Sequence, residues 1–231
     1  MKRLALALLV SVPLSSATWA NPLLPANATV VRPASKEWMA QYAAEEFAQY
    51  TQAMGIVPVT LGDRAPEDAA GAVVTFAVGR VKALESLPGA EDPERLADGF
   101  SVIGSGTNRL HFASPTARGL MYGVYHYLET RCDVGFFWEG DHVPKREVLP
   151  IEGVHIAEIP RWPIRNFALS QTWGLRKFNH QFRTIEQRQQ IMAWMAKRKI
   201  NLSSALFMAS VATSGVVATN VFKVDDTKPD N

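Results

Sequence analysis

The run from Ala72 to Val78 is apolar at nearly every position, with only Thr75 interrupting it. A strand that faces water on one side alternates polar and apolar residues. A run without alternation must be covered on both faces, which is the situation of a central strand in a sheet flanked by other layers. The segments before it supply those layers. Thr29 to Arg32 is a short β-branched strand. A helix then runs from a Ser35 cap to about Met54, because Met39, Tyr42, Ala43, Phe47, Tyr50 and Met54 recur at three- and four-residue spacing. Gly55 ends it, and Ile56 to Leu61 reads as the next strand. Together these form a β-α-β unit, so the fold class is α/β.

Beyond the central run, Glu85 to Asp98 is rich in proline and acid and reads as a surface excursion. Phe100 to Ile103 and Leu110 to Phe112 flank a Gly-Ser-Gly-Thr-Asn stretch, which predicts a hairpin. Ser114 and Pro115 suit a helix cap and first turn. That helix extends to about Arg131, burying Ala117, Leu120, Met121, Val124, Tyr125 and Leu128. Gly119 and Gly123 would let it approach a strand closely. Val134 to Trp138 is a further strand, and a polar connection leads to His155.

Pro160 and Pro163 mark a boundary. Asn166 to Leu169 reads as a short strand, and Thr184 with Gln187 has capping-box spacing. A helix to about Lys199 follows, with Ile191, Trp194 and Met195 on one face, then a strand at Ile200 to Leu202. Strand, long loop, helix and strand is how a (β/α) barrel begins. A full barrel takes about 250 residues, whereas 71 follow Pro160. The expected organisation is a small accessory α/β sheet domain over 28–155, an incomplete (β/α) barrel start over 160–208, and an irregular tail over 209–231.

The N-terminus has a different logic. Lys2 and Arg3 precede an apolar stretch from Leu4 to Leu14, and small residues run from Ser15 to Ala20 around Trp19. This is the layout of a cleavable secretory signal over 1–20, too short to span a bilayer. The chain is expected to be exported, to periplasm or medium, with no membrane attachment after cleavage. Without Lys2 and Arg3 the 24 basic residues become 22, equal to the 22 acidic ones. That balance argues against a nucleic-acid partner. The single cysteine, Cys132, permits no internal disulfide and no cysteine-based zinc site; its expected role is packing at a helix end.

Several motifs carry no chemistry. Gly104 and Gly106 resemble part of a dinucleotide fingerprint, but a strand follows them and Arg109 occupies the third glycine position, so they read as a turn. His111, His126, His142, His155 and His180 do not pair at metal-ligand spacing, and no nucleophile elbow is present. No cofactor or metal is expected.

A cluster of Trp162, Asn166, Gln171, Trp173, Asn179 and His180 surrounds the strand after Pro163 and its following loop. In a barrel such loops build the active face. Aromatic faces match the C–H face of a sugar ring, and amides pair with hydroxyls. The same tryptophans would also serve to pack a loop against the first region, and the residues alone leave both readings open. Glycoside hydrolysis usually requires two carboxylates. Between Pro160 and Met208 there is one, Glu186, on the predicted helix.

Two stretches resemble known families. Ala113 to Glu129 with Val134 to Trp138 is similar to the end of an accessory domain in exo-acting glycosidases, including α-glucuronidases, β-hexosaminidases and α-N-acetylglucosaminidases. Arg165 to Thr172 with Gln189 to Leu202 resembles the start of the α-N-acetylglucosaminidase barrel, over a span from about 28 to 202. The resemblance implies an N-terminal portion of an exported glycoside hydrolase acting on an oligosaccharide or glycan. It implies Asn166, Gln171 and Trp173 as sugar contacts. The family's catalytic glutamates lie further along its barrel, so no catalytic residue transfers, and the chain by itself is expected to be inactive. The alternatives are a non-catalytic carbohydrate-binding or scaffold module and a structural protein whose uncovered helix face associates. The sequence leaves the oligomeric state and the sugar open.

Overall fold

The computed structural model describes residues 27–65, 69, 71–167 and 185–203. Its centre is a six-stranded mixed sheet in the order β2-β1-β3-β5-β4-β8. The strands are β1 (Ala28–Val31), β2 (Val59–Gly62), β3 (Ala72–Val78), β4 (Phe100–Ser105), β5 (Arg109–Ser114) and β8 (His155–Glu158). β2, β1, β3 and β5 run parallel, whereas β4 is antiparallel to both β5 and β8. The apolar run at β3 is central in the sheet, as expected, but it is covered on both faces only at its start: Val73 and Val74 are buried, whereas further along Phe76 is buried on one face while Thr75 is half-buried and Ala77 exposed on the other. Phe76 stands opposite Phe112 in the β3–β5 register, and their rings stack 5.1 Å apart.

Two helices supply the core, α1 (Trp38–Met54) and α3 (Ala117–Cys132). The predicted stripe of α1 is buried except for Tyr42, which lies at its border. Gly55 ends α1 in the left-handed conformation (φ 97°) and donates its N–H to Gln52 O. The next strand is shorter than expected and begins at Val59. Ile56 is still bonded to Thr51 O, and Pro58 has no N–H to contribute. Ser35 does not cap α1. It accepts from the Glu37 N–H one turn early, and Gln41 ties the leading segment through Pro33 O and Ser35 O.

α3 is buried over more than its expected stripe, since Tyr122, Tyr127 and Cys132 are enclosed as well. Its cap is Thr116, whose Oγ1 accepts from Gly119 N. Ser114, expected in that role, ends β5 and donates to Gly99 O at 2.7 Å. Both glycines approach the start of β4 as expected. A Cβ on Gly119 would lie 2.7 Å from Gly99 O, and one on Gly123 would lie 3.1 Å from Phe100 Cβ.

The excursion before β4 is ordered rather than a plain surface loop. A 3-10 turn at Lys82–Leu84 leads into it, and it contains a short helix, α2 (Pro93–Leu96), capped by Asp92. Leu84, just before it, and Asp98, at its end, are buried. The strand expected at Val134 to Trp138 is a hairpin of β6 (Gly135–Phe137) and β7 (Gly140–His142). β8, an edge strand on β4, has no counterpart in the sequence reading.

The second region places β9 (Asn166–Phe167) parallel to β10 (Leu202–Ser203), with Asn166 opposite Leu202. Between them in the chain lies α4 (Ile185–Lys197). Parallel strands joined through a helix are the repeating unit of a (β/α) barrel. The helix ends two residues before the expected Lys199. Lys199 takes the left-handed position (φ 58°) and bonds Ala196 O, while Ile200 bonds Met195 O, which closes a Schellman motif. Among the described residues no helix is long and apolar enough to cross a membrane. The expected signal (1–20) and the tail (209–231) lie outside the described residues.

Candidate functional site: a junction built on Asp98

Asp98 follows α2, where its N–H bonds Arg95 O. Its carboxylate has no exposed surface. A buried carboxylate is tolerable only when charge and hydrogen bonds replace the lost water. Here Oδ1 accepts from Arg118 Nε of α3 at 2.6 Å. Oδ2 accepts from Arg165 Nη2 at 2.7 Å and from Asn201 Nδ2 at 3.1 Å. One anion of the sheet domain is thus shared by one cation of its own helix and two groups of the strand pair.

Arg165 and Asn201 immediately precede β9 and β10, and they lock each other. Asn201 Oδ1 accepts from Arg165 N at 2.8 Å, and Asn201 N donates to Arg165 O. Arg165 Nε donates to Lys199 O and Nη1 to Trp162 O, and its guanidinium lies 5.4 Å from the Tyr122 ring centre. Asn201 Nδ2 also reaches Pro163 O. This network sets the register in which Asn166 meets Leu202. Burial, together with the Asp98 charge, pushes the Tyr122 phenol up to about 12.

The end of α4 adds a second set of contacts. Lys197, Arg198 and Lys199 each take a different acceptor on the sheet domain. Lys197 Nζ donates to Asp141 at 2.6 Å and lies over the Tyr50 and Phe136 rings. Tyr50 donates its hydroxyl to the same Asp141 carboxylate. Arg198 pairs with Glu129 at 2.6 Å. Lys199 Nζ lies 2.6 Å from His126 Nδ1, and His126 Nε2 lies 3.2 Å from Glu158.

Of the three residues named as sugar contacts, Asn166 is the first residue of β9 and is exposed. Gln171 and Trp173 lie outside the described residues, as do Asn179 and His180. Trp162 is 63% exposed, with Arg161 against its ring. Trp194, expected on the buried face of α4, is only half-buried and packs edge-on against Trp138, while Ile191, Met195 and Ala196 take the core. Burial pushes the Cys132 thiol up to about 12, as befits a packing residue. Among the described residues no group of three His, Cys, Asp or Glu could hold a metal ion.

The sequence reading missed Asp98 because it sits at the end of a polar, proline-rich stretch. The available signal lay elsewhere: Arg165 and Asn201 both fall inside the stretches that carry the family resemblance.

No protein-family model matches the chain, and no curated protein matches it. Solved glycoside hydrolases do. A GH138 enzyme targeting pectin rhamnogalacturonan II matches 76% of this chain and 18% of its own, at 12% identity and TM-score 0.51. A family GH115 4-O-methyl-α-glucuronidase with specificity for decorated arabinogalactans matches 76% of this chain and 24% of its own, at 12% identity and TM-score 0.50. A family 89 glycoside hydrolase from Clostridium perfringens, in complex with PUGNAc, matches 70% of this chain and 16% of its own, at 19% identity and TM-score 0.42. The chain therefore spans 18% and 24% of the length of the first two. At 12% identity the likeness to the first two establishes the fold alone, a mixed α/β architecture shared with part of those glycoside hydrolases.

Proposed function

We propose that this chain is the N-terminal part of an exported glycan-acting glycoside hydrolase of the α-N-acetylglucosaminidase or α-glucuronidase type. In this reading the sheet domain over 28–155 mounts the first barrel strands of 160–208, and the catalytic carboxylates are not among its residues. The observation that carries it is the parallel β9–β10 pair, joined through α4 and keyed to the sheet domain by Asp98, Arg165 and Asn201. A buried ion network at that point fixes where the first strand begins. In a barrel the loop after a strand faces the substrate, so the mount governs where Asn166, Gln171 and Trp173 meet a sugar.

The test uses the purified full chain. It is titrated with neutral oligosaccharides into the millimolar range and assayed on nitrophenyl hexosaminides and glucuronides. The expected result is weak binding, reduced by Trp173→Ala, without turnover. Turnover would overturn the non-catalytic assignment. Absence of binding at millimolar sugar would overturn the glycan assignment.

A further inference from the structure

A cleft of about 490 Å³ opens between the C-terminal end of α3, the strand β6 and the C-terminal half of α4. Small-molecule sites fall in this size range. Four aromatic residues line it: Phe136, which is buried, and Phe137, Trp138 and Trp194. Phe137 is 62% exposed, although it lies in a strand. Its ring is drawn back over Gly135, where a Cβ would overlap it. The absence of a side chain at 135 therefore gives this ring its seat. Trp138 and Trp194 meet edge to face, with centroids 5.1 Å apart at 75°, which fixes both planes.

Val134 and Gly135 add apolar surface, and the polar lining is charged. Arg198 pairs with Glu129 at 2.6 Å, and Asp133, 76% exposed, pairs with Arg146. Charged side chains in the lining of a cleft are unlike the core of a protein–protein interface, where they are depleted. Next to fixed aromatic faces they suit a sugar. Ring C–H groups lie on the aromatic faces while carboxylate and guanidinium groups take hydroxyls. Each of the two carboxylates already holds a guanidinium, Arg198 or Arg146, so the cleft offers no surplus positive charge to an acidic sugar.

We propose that this cleft binds a neutral oligosaccharide, with Phe137 as the stacking platform and Glu129, Asp133 and Arg198 as hydroxyl partners. The proposal rests on the glycan-acting reading and adds a site that involves none of Asn166, Gln171 and Trp173.

The experiment is fluorine NMR on the full chain labelled with 5-fluorotryptophan, each resonance assigned by a Trp→Phe substitution. The titrants are neutral galacto-, gluco- and N-acetylglucosamine oligosaccharides, with oligogalacturonate as the acidic counterpart. The expected result is movement of the Trp138 and Trp194 resonances with a neutral oligosaccharide and weaker movement with oligogalacturonate. Phe137→Ala, at an exposed ring, should weaken that binding about tenfold, and Phe137→Tyr should preserve it. Movement of Trp173 alone would overturn the cleft and leave the glycan reading standing. No movement at any tryptophan would overturn both. Self-association that vanishes in Phe137→Ala, without any response to sugar, would assign the cleft to a second copy of the chain and overturn the proposal.

Discussion

Arg165 reaches back 67 residues to the fully buried carboxylate of Asp98, closing an ion pair of 2.7 Å between the strand pair and the sheet domain. The same carboxylate holds Arg118, so two guanidinium groups, each about one-fifth exposed, depend on one anion. The two parts of the chain are joined by this shared group and not by apolar contact alone.

Asp98→Ala leaves both arginines without their anion and Asn201 without an acceptor. Removing one partner of a buried network costs about 3–5 kcal/mol. The expected outcome is a lower urea midpoint at unchanged slope, equivalent to a free-energy loss of that size, with a smaller loss for Asp98→Asn, which keeps an acceptor oxygen. An unchanged midpoint in Asp98→Ala would show that the network contributes nothing.

Arg165→Met should act locally. The sheet keeps its register and its stacked Phe76–Phe112 pair, while the β9–β10 pair and the turn after α4 lose the guanidinium bonds to Asp98 and Lys199 O. Hydrogen exchange should then accelerate by about tenfold or more over 185–203 and stay unchanged over 100–114. Uniform acceleration in both segments would mean that the two parts unfold together.

Gly119→Ala sets two effects against each other. Helix propensity favours Ala by about 1 kcal/mol. The new methyl, however, would lie 2.7 Å from Gly99 O and overlap the Ser114 hydroxyl. Overpacking costs about 1–3 kcal/mol, and the obstacle includes backbone, so a net loss of stability is expected in thermal denaturation.

Acid should weaken the fold through two histidines. Burial lowers the His126 pKa from its usual 6.5, with Lys199 the next cause, and burial lowers His111 as well. Glu158 and Glu129 oppose the shift at His126, and Arg131 adds to it. A lowered folded-state pKa means that the unfolded chain takes protons first. Stability should be intact above the ordinary value and decline as pH falls from it through the lowered one. Urea midpoints at about pH 8 and about pH 5 check this. His126→Gln should remove part of the decline, and a pH-independent midpoint would contradict the prediction.

Cys132 should resist thiol reagents. It is fully buried, and burial pushes its thiol up to about 12, so almost no thiolate exists at neutral pH. Ellman's reagent should titrate one thiol in denaturant and essentially none in the native chain.

The α/β class was legible because it rests on local regularities. An apolar run at 72–78 broken only by Thr75 and helical stripes ending in Gly55 or opening near Pro115 depend on short-range spacing. Shifts of a few residues arose where a side chain found a better distant partner. Ser114 bonds Gly99 O instead of capping α3, and Thr116 takes the cap. β8 was not legible, because an edge strand of four residues carries too little pattern. The candidate site was half legible: Arg165 and Asn201 stood in recognisable stretches, but nothing local marks their partner.

What the sequence by itself determined is the kind and order of the larger elements, β1, α1, β3, the β4–β5 hairpin, α3 and α4, and the approach of Gly119 and Gly123 to a strand. Only the tertiary structure decided that Asp98, in a polar excursion, would be the enclosed anion joining the two parts. It also decided that Lys197, Arg198 and Lys199 would spend their charges on Asp141, Glu129 and His126. The physical reason is that spacing along the chain sets backbone preference and the buried face. The partner of a buried charge is chosen by whichever distant group the fold brings within hydrogen-bonding reach.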